Sequence, residues 1–409
     1  MIRFSDFITE QQNTHLEHVE DELLNGGVAG ARKAINMLRG VRDMLAGHTK
    51  SPVNATIKFD GAPAVFAGID PSDGKFFVAK KGIFNKSPKV YKTAAEVDAD
   101  TSGDLAAKLK LALKHLPELG ITGVVQGDFM FAKEDLKVQE IDGQEYVTFH
   151  PNTIMYAVPT ASPMARTIRA AKFGVVWHTR YEGSSFETMK AAFAADIAST
   201  LKASKNVWSI DATYKDLSGQ ATFTAAETKE VTSLLSDAGK LFQSIKPALF
   251  NDISSNEDLL MLVKTSLNAL VREGQTLSPV ARAEHVQKFV KAKVDADIAS
   301  KKTTKGQESA KAKYAATLAY FDKHSIADIA RLMDLMDKIV AVKAAIIAKM
   351  NQASAFKTFL KLHAGGFRAT TPEGYVAVDR LSQSAIKLVD RMEFSRANFA
   401  SDVVKGWQR

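Results

Sequence analysis

The sequence contains no cysteine and no long apolar run. The absence of cysteine excludes disulfides, thiolate metal sites and a cysteine nucleophile, and it fits a reducing compartment. No stretch reaches the roughly 18 apolar residues that a membrane span requires. The first residues, MIRFSDFITEQQ, lack the charged-then-apolar pattern of a signal peptide. We therefore expect a cytoplasmic protein that has no membrane partner.

An acidic surplus is also lacking, because 54 Lys and Arg residues outnumber 46 Asp and Glu residues and the net charge is +8. A basic surplus favours an anionic partner such as nucleic acid, but it supports that partner only together with a site. The 409 residues, 45% of them hydrophobic and 24% charged, are typical of a globular protein of two or three domains.

Apolar spacing predicts helices over 9–24 and 28–46, separated by the break Asn25-Gly26-Gly27, and a further helix over 102–115. Short segments rich in Val, Ile and Phe and bounded by turn residues predict strands. These segments are VNATIKFDG (53–61), PAVFAGI (63–69), KFFVAKKG (75–82), VVQGDFMF (124–131), KVQEI (137–141), EYVTFH (145–150), TIMYAV (153–158) and KFGVVWHTRY (172–181).

Residues 185–363 are predicted to be mostly helical, with one strand near 207–214 and a basic loop, KKTTKGQESAKAKY, that joins two helices. Strands return in GYVAV (374–378) and AIKLVD (385–390). Two strands alone could not form an independent domain. We therefore predict one sheet domain that carries a helical insertion. The predicted parts are an N-terminal helical segment (1–50), the first part of the sheet domain (51–184), the insertion (185–363) and the last strands (364–409).

The segment Lys58-Phe59-Asp60-Gly61 places a lysine at the end of a strand, directly before an Asp-Gly turn. An attacking amine must be neutral, whereas the usual lysine pKa is about 10.4. Burial and nearby positive charge lower that pKa. A pocket that also held Lys80, Lys387 and a metal ion would provide such an environment. Taken alone, the four-residue motif is far more typical of a solvated lysine at a strand end than of a nucleophile.

Four further motifs follow in order: Gly127-Asp128-Phe129, Phe173 to Trp177, Glu373-Gly374 and Lys387. Together with Lys58-Phe59-Asp60-Gly61 they resemble the ordered motifs of covalent nucleotidyltransferases. That superfamily contains ATP-dependent DNA ligases, RNA ligases and mRNA capping enzymes. The longer segment 15–93, from HLEHVEDELL to KFDGAPAVFAGIDPSDGKFFVAKKGIFNKSPKVYKT, is similar to a family of ligase-like proteins of tailed phages. The motif resemblance covers residues 53–181 and 370–392.

The resemblance implies an α+β fold: an antiparallel-rich nucleotidyltransferase (adenylation) domain with N-terminal helices and a large, mainly helical insertion. It also implies ATP and Mg²⁺ (or Mn²⁺) as cofactors. Lys58 would form a covalent lysyl-AMP, and Asp60 would assist. Asp128, where the family commonly has Glu, would contact the ribose or a metal. Glu373 would bind the catalytic Mg²⁺, and Lys387 would contact the α-phosphate.

Other residues complete the implied nucleotide site. One of Phe173 and Trp177 would stack on adenine, and the resemblance leaves open which. Ile57 and Lys80 would also lie at the nucleotide. Nucleic acid would be contacted by basic residues, although a plain solvated face remains an equal alternative for those on the insertion. This set is Lys81, Lys301, Lys302, Lys305 and Arg391.

The sequence departs from the family pattern at several positions. Pro63 stands where DNA ligases and capping enzymes commonly have Arg, and Val389 stands where a second lysine often follows Lys387. The long interval between Trp177 and Glu373 accounts for the helical insertion. Too little chain follows Lys387 for a C-terminal oligonucleotide-binding (OB) barrel. This departure argues most strongly against capping activity.

The leading hypothesis is an ATP-dependent polynucleotide ligase that joins 5′-phosphate to 3′-OH ends through lysyl-AMP. Nicked or cohesive duplex DNA is the favoured substrate, with RNA at the 3′-OH side as an alternative. A second hypothesis is an RNA ligase of the same superfamily. A third, of another class, is an inactive ligase-like nucleic-acid-binding phage protein. A cytoplasmic monomer is expected in each case, located in the cytoplasm of the host cell if the protein is of phage origin.

Overall fold

The computed structural model describes residues 16–48, 51–193, 196–214, 221–382 and 384–407. The first part of the helix predicted over 9–24 lies outside these residues. In the described part of that predicted helix, only Glu22–Asn25 (α1) is helical. A second helix spans Gly27–Leu45 (α2). The predicted break between the two is confirmed, because Gly27 has a φ of 58° that glycine adopts without strain.

Every segment predicted as a strand contains one, and the α+β class with antiparallel sheets is confirmed. Three short strands, the ninth, eleventh and twelfth, were not predicted. In chain order the strands are Val53–Lys58 (β1), Ala64–Ile69 (β2), Phe76–Ala79 (β3), Val124–Ala132 (β4), Lys137–Ile141 (β5), Gln144–Phe149 (β6), Met155–Pro159 (β7), Phe173–Glu182 (β8), Lys190–Phe193 (β9), Val207–Asp211 (β10), Lys357–Lys361 (β11), Phe367–Ala369 (β12), Gly374–Asp379 (β13) and Ala385–Leu388 (β14).

The remaining helices include one that matches the prediction over 102–115, here α4. They are Ala94–Asp100 (α3), Gly103–His115 (α4), Pro163–Ala170 (α5), Ala225–Ser244 (α6), Pro247–Ser254 (α7), Glu257–Glu273 (α8), Pro279–Ser300 (α9), Thr304–Lys323 (α10), Ile326–Met350 (α11) and Arg396–Phe399 (α12). No helix in the described part of the chain is long and apolar enough to cross a membrane.

The strands form three sheets. A three-stranded sheet has the order β1-β13-β14, so a strand near the start of the chain pairs with strands near its end. A six-stranded sheet has the order β10-β8-β4-β2-β3, with β9 also paired to β8, and a five-stranded sheet has the order β12-β11-β7-β6-β5. Pairing is antiparallel except between β10 and β8, which are parallel.

The helical region comprises α6–α11 and begins and ends inside the interval 185–363 that was predicted as an insertion. The flanks of that interval belong to the sheets instead, because β9 and β10 pair with β8, and β11 pairs with β7. The predicted loop KKTTKGQESAKAKY is mostly helix. Thr303 caps α10, so only 301–303 join it to α9. The helix-forming Lys, Gln, Glu and Ala residues outweigh the single Gly306.

One hydrophobic core joins the helical region to the three-stranded sheet. Apolar side chains of α2 and α6–α11 pack on the face of this sheet that carries Val53, Tyr375, Ile386 and Leu388. A second core lies beneath α4 on the six-stranded sheet, and a third lies between the six-stranded and five-stranded sheets. The opposite face of the three-stranded sheet therefore stays available to border a cleft.

Candidate functional site

A cavity of about 590 Å³ lies between the three-stranded and six-stranded sheets. Its size is in the range of small-molecule sites. Its Lys, Asp and His side chains are those of Lys58 on β1, Lys81 after β3, Asp128 on β4, His178 on β8 and Lys387 on β14. Antiparallel pairing explains the meeting of the two chain ends, because Lys58 lies opposite Gly374 and Val376 lies opposite Lys387. We call this cavity the cleft.

Lys58 forms an ion pair with Glu373, which is buried at the edge of the cleft. Burial alone would lower the pKa of Lys58. The paired Glu373, together with the carboxylates of Asp128 and Asp60, instead raises that pKa above its ordinary value. The expectation of a lowered lysine pKa is therefore wrong for this arrangement, because the nearest charges are carboxylates rather than ammonium groups.

Asp128 and Glu373 are poorly solvated carboxyl groups. Burial raises the pKa of each to about 7, although the ammonium of Lys58 opposes the shift. The second oxygen of Glu373, Oε2, is buried and has no hydrogen-bond partner among the described residues. An orphaned carboxylate oxygen beside a second carboxylate fits a divalent cation, because Mg²⁺ takes one or two carboxylates together with water and phosphate oxygens.

The protein would supply few ligands to such a cation. Within the described ranges, no group of three or more His, Cys, Asp or Glu side chains is arranged to hold a metal ion. A cation at Asp128 and Glu373 would therefore complete its shell with water or with oxygens of a bound ligand. This donor set is typical of metals that bridge protein and phosphate rather than of closed structural sites.

Lys387 enters the cleft from β14 and is held by the segment that precedes α1. Its backbone N–H donates to the carbonyl of Glu17 over 2.8 Å, and its carbonyl accepts from the N–H of Val19 over 3.1 Å. Burial, with Lys58 nearby, lowers the pKa of Lys387 below its ordinary value. The segment 17–19 thus extends the three-stranded sheet at the strand that carries this lysine.

Asp60 does not line the cleft. Its carboxylate accepts hydrogen bonds from Asn152 Nδ2 (2.6 Å) and from the backbone N–H groups of Thr153 (2.7 Å) and Ile154 (2.8 Å). Its own N–H donates to the hydroxyl of Tyr156 over 2.7 Å. The expected direct assistance to the chemistry is therefore not supported. Asp60 instead anchors the turn after Lys58 to the loop 152–154, and so it is a positioning residue.

Neither aromatic residue expected to stack on adenine faces the cleft. Phe173 stacks on Phe129 with ring centroids 5.2 Å apart, inside the core beneath α4. Trp177 is fully buried in the same core, and its indole N–H donates to Ser209 Oγ over 2.7 Å. Because side chains alternate along a strand, Val176 from the same strand lies on the cleft side.

The cleft takes its aromatic surface from other positions, Tyr181 on β8 and Phe193 on β9. Phe193 was missed because β9 is short and its sequence, KAAF, carries no strong strand pattern. His178 also lines the cleft, and burial, with Lys58 nearby, lowers its pKa to about 4. It is therefore neutral at pH 7. Its Nε2 lies 3.9 Å from Asp128 Oδ2, and its Nδ1 lies 2.7 Å from the hydroxyl of Thr179.

Two adjacent lysines have different environments. Lys80 lies 3.0 Å from Asp100 and faces the ring of Tyr91, away from the cleft. Lys81 is exposed, lines the cleft and has no ion-pair or hydrogen-bond partner in the described part of the chain. The expected nucleotide contact by Lys80 is therefore not supported. Lys81 and Ile57 do lie at the cleft.

The other residues expected to contact nucleic acid are not at the cleft. The guanidinium of Arg391 is largely buried, 3.0 Å from Asp21 and in contact with Asn268, so it cannot reach a phosphate backbone. Lys301 is paired with Asp297 over 2.8 Å. Lys302 and Lys305 are exposed where α10 begins. These three lysines belong to the surface of the helical region.

The chain belongs to the family of unknown function DUF6267, whose model matches residues 13–403. The match includes the N-terminal segment that holds Lys387, all three sheets and the helical region. No curated protein and no solved structure matches the chain.

Proposed function

We propose that the protein is an ATP-dependent polynucleotide ligase that joins 5′-phosphate to 3′-OH ends through a lysyl-AMP on Lys58. The observation that carries the proposal is the convergence of Lys58, Asp128 and Lys387 on one cleft of nucleotide size, with Glu373 paired to Lys58. These residues come from distant parts of the chain, in the order of the nucleotidyltransferase motifs. Motif residues that are far apart in the chain but close together in the fold support a shared site.

The charges in the cleft suit phosphoryl transfer, which requires stabilisation of the oxygens around the transferred phosphorus. Lys387 and Lys81 are the cations that would face the phosphates of ATP. Asp128 and Glu373 would hold Mg²⁺ or Mn²⁺, which supplies further neutralisation of phosphate charge when it is bound. Val176 and Phe193 offer the apolar surface on which a base would pack.

Lys58 must lose a proton before it can attack. Its ion pair with Glu373 holds the amine protonated, so Glu373 has to exchange this contact for another during the reaction. Once the pairing weakens, burial and the neighbouring Lys387 favour the neutral amine. The ion pair thus acts as a resting arrangement that keeps the nucleophile positioned but unreactive.

Three transfers would follow. The neutral Lys58 amine forms an N–P bond to the α-phosphorus of ATP as the bond to the β-phosphate oxygen breaks; pyrophosphate leaves, and the nitrogen gives up a proton to water. An oxygen of the 5′-phosphate then forms a bond to this phosphorus as the N–P bond breaks, and the lysine nitrogen takes a proton back from water. The 3′-OH finally attacks the 5′-phosphorus, loses its proton and expels AMP. Duplex DNA ends remain the favoured substrate, and an RNA ligase remains the alternative within the same chemistry.

The test is incubation of the protein with α-labelled ATP and Mg²⁺ or Mn²⁺, followed by denaturing electrophoresis. We expect a labelled band that Lys58→Ala removes. Lys80→Ala is the matched control, because this lysine lies outside the cleft, and it should retain the label. If the wild-type protein takes no label from ATP, or from NAD, with either metal, the ligase proposal fails. End joining on DNA, RNA and mixed-strand nicks then identifies the substrate.

A second candidate is a nucleic-acid-binding protein that has a ligase-like cleft and no activity. The firm pairing of Lys58 with Glu373 favours it, as do Pro63 and Val389 at positions where ligases commonly carry cations. The labelling experiment separates the two candidates, because an inactive protein would bind nucleic acid without forming the covalent adduct.

A further inference from the structure

A second cavity, of about 430 Å³, lies on the five-stranded sheet and is closed on one side by the segment 404–406. It shares no lining residue with the cleft. Three lysines from separate elements surround it, and we call it the lysine pocket. These lysines are Lys137 on β5, Lys361 on β11 and Lys405 near the end of the chain.

The three lysines of the lysine pocket differ in their exposure to solvent. Lys405 is buried, and its ammonium donates to the carbonyl of Ala397 over 2.6 Å. Lys361 is half-buried and Lys137 is exposed, and the ammonium of neither has an ion-pair or hydrogen-bond partner among the described residues. A partly buried ammonium without a counter-charge is unfavourable, so Lys361 in particular favours an anionic occupant.

Two carboxylates lie at the rim of the lysine pocket. Asp135 accepts a hydrogen bond from the backbone N–H of Ala132 over 2.9 Å, and Glu134 is exposed. Three ammonium groups against two carboxylates leave a net positive charge. Because water screens the exposed Glu134, its carboxylate opposes an anion inside the pocket less than the buried Lys405 and the half-buried Lys361 attract one.

His150 also lines the lysine pocket, and its pKa responds to the charges of the three lysines. Burial lowers the pKa of His150 to about 4, and Lys361, Lys405 and Lys137 contribute to that shift. The fields of the three lysines therefore converge at this point. The ring is neutral at pH 7, and its Nε2 lies 3.1 Å from the carbonyl of Thr153. Since a carbonyl only accepts, Nε2 carries the proton and Nδ1 can accept a hydrogen bond.

An exposed aromatic residue adjoins the lysine pocket. Gly406 packs against the carbonyl of His150 so closely that a Cβ would lie 2.0 Å from it, and its N–H donates to Asn152 over 2.6 Å. The next residue, Trp407, is 64% exposed. Trp407 thus directly follows a residue that lines the lysine pocket. Proteins that bind single-stranded nucleic acid combine exposed rings, on which bases stack, with cations that meet the phosphates.

We propose that the lysine pocket binds a backbone phosphate of a single-stranded nucleic acid segment, with an adjoining base stacked on Trp407. If the protein is a ligase, as proposed above, this segment belongs to the strand that is to be joined. Hydrogen bonds connect the pocket to the turn after Lys58. The carbonyl of Asn152 accepts from the N–H of Gly406, and the side-chain amide of Asn152 donates to Asp60, two residues after Lys58. An acidic peptide would meet the lysines but would leave Trp407 without a stacking partner.

The test measures fluorescence anisotropy of labelled single-stranded RNA and DNA of about 12 nucleotides on the full-length protein across a salt series. We expect the double variant Lys137→Glu, Lys361→Glu to bind about tenfold more weakly or worse, and its salt slope to fall by about one, because one phosphate contact is lost. The matched control is Lys114→Glu, Lys229→Glu. It makes the same charge change at two exposed lysines that have no partner among the described residues, and it should lose much less affinity.

Intrinsic fluorescence tests the stacking separately. Trp177 and Trp208 are buried, so quenching by an unlabelled strand should report on Trp407, and Trp407→Phe should abolish it. Equal affinity in the lysine variants and their control would overturn the proposal, as would quenching that survives Trp407→Phe. Displacement of the strand by millimolar inorganic phosphate alone would also overturn it, because the pocket would then be a site for free anions.

The outcome is independent of the ligase proposal. Self-adenylylation should be unchanged in Lys137→Glu, Lys361→Glu, because neither lysine lies at the cleft. A wild-type protein that takes no label but shows the expected loss of strand binding would refute the ligase proposal and support the lysine pocket. Normal labelling together with unaltered strand binding in the double variant would do the reverse. Circular dichroism melting confirms that each variant is folded.

Discussion

At the scale of single residues, the cleft combines an ion pair with a carboxyl group, that of Asp128, which forms no ion pair with a lysine or arginine of the described residues. Lys58 and Glu373 neutralise each other, whereas the nearest basic side chain to Asp128 is the neutral His178 at 3.9 Å. Burial therefore acts on Asp128 with little compensation and raises its pKa to about 7. The protonation state of Asp128 should depend on pH near neutrality.

The raised pKa of Asp128 predicts a stability difference that depends on pH. The folded protein binds the Asp128 proton more tightly than the unfolded chain does, so this stabilisation is complete below about pH 4 and is lost as the pH rises to about 7. Asp128→Asn does not titrate there. It should exceed wild type in free energy of unfolding by about 2 kcal/mol at pH 8, a figure reduced because 21% of the side chain is exposed.

Urea unfolding of both proteins between pH 5 and pH 8 measures this difference. The excess stability of Asp128→Asn should shrink as the pH falls. Asp237→Asn, at an exposed position, serves as the control and should show no such trend. A difference between wild type and Asp128→Asn that stays constant over the whole pH range would contradict the assignment.

The adjacent lysines Lys80 and Lys81 provide a second prediction at this scale. Lys81 lines the cleft without a partner among the described residues, whereas Lys80 is paired with Asp100. Lys81→Ala should raise the ATP concentration for half-maximal self-adenylylation about tenfold, because a charge-assisted phosphate contact contributes about 1.5 kcal/mol. Lys80→Ala should leave that concentration nearly unchanged. Equal effects in a titration of labelling against ATP would show that their positions do not matter.

At the scale of elements, α11 is tied to the strand that carries Lys387. The ammonium of Lys343 on α11 donates to both carboxylate oxygens of Glu20 and to the carbonyl of Val389, each over 2.8 Å. Lys343 and Glu20 are almost fully buried, at 3% and 4% side-chain exposure. One buried ion pair therefore joins the helical region, the N-terminal segment and the end of β14.

Breaking this ion pair from one side should be costly. Lys343→Met leaves the buried Glu20 with one more distant cation, the guanidinium of Arg391 at 4.0 Å, and should lower the free energy of unfolding by about 3 kcal/mol. The double variant Glu20→Gln, Lys343→Met should recover much of the loss. Lys301→Met is the control, since Lys301 pairs with Asp297 at the surface, and it should cost less than about 1 kcal/mol. Chemical denaturation tests all three, and losses that simply add in the double variant would contradict the coupling.

At the scale of the whole molecule, the helical region and the three-stranded sheet share one core. Helices α2 and α6–α11 cover the apolar face of β1, β13 and β14, whose other face borders the cleft. Removing the helices would expose that apolar face to water, at a cost of about 25 cal/mol per Å². The helical region is therefore part of the support of the cleft, even though its surface lysines lie elsewhere.

A shared core predicts shared stability. Native-state hydrogen exchange should place the slowest amides of α11 and of β13 in one class, with the same free energy of opening, because neither element can open fully without exposing the other. The exposed strands β5 and β12 provide an internal reference and should exchange at lower free energy. Helical amides that opened independently, at a much lower free energy than β13, would indicate a separately folding insertion.

The sequence by itself determined eleven of the fourteen described strands and the positions of the motifs along the chain. Alternating or continuous runs of Val, Ile and Phe between turn residues predict strands, and Lys58 falls at a strand end because an Asp-Gly turn follows it. The helix over 102–115 and the break near Gly27 have equally local causes. These features depend on backbone preferences and on short-range spacing, which are readable along the chain.

Only the tertiary structure decided which side chains face the cleft. In β8 both faces are buried, so the run from Phe173 to Trp177 contains no polar alternation that could distinguish the core face from the cleft face. A shift of one position exchanges Trp177 for Val176 or His178. Lys80 and Lys81 are also neighbours in the chain, and only the folded structure shows that Lys80 pairs with Asp100 whereas Lys81 lines the cleft. Arg391 likewise became a buried partner of Asp21 through a contact between distant segments, which local sequence does not encode.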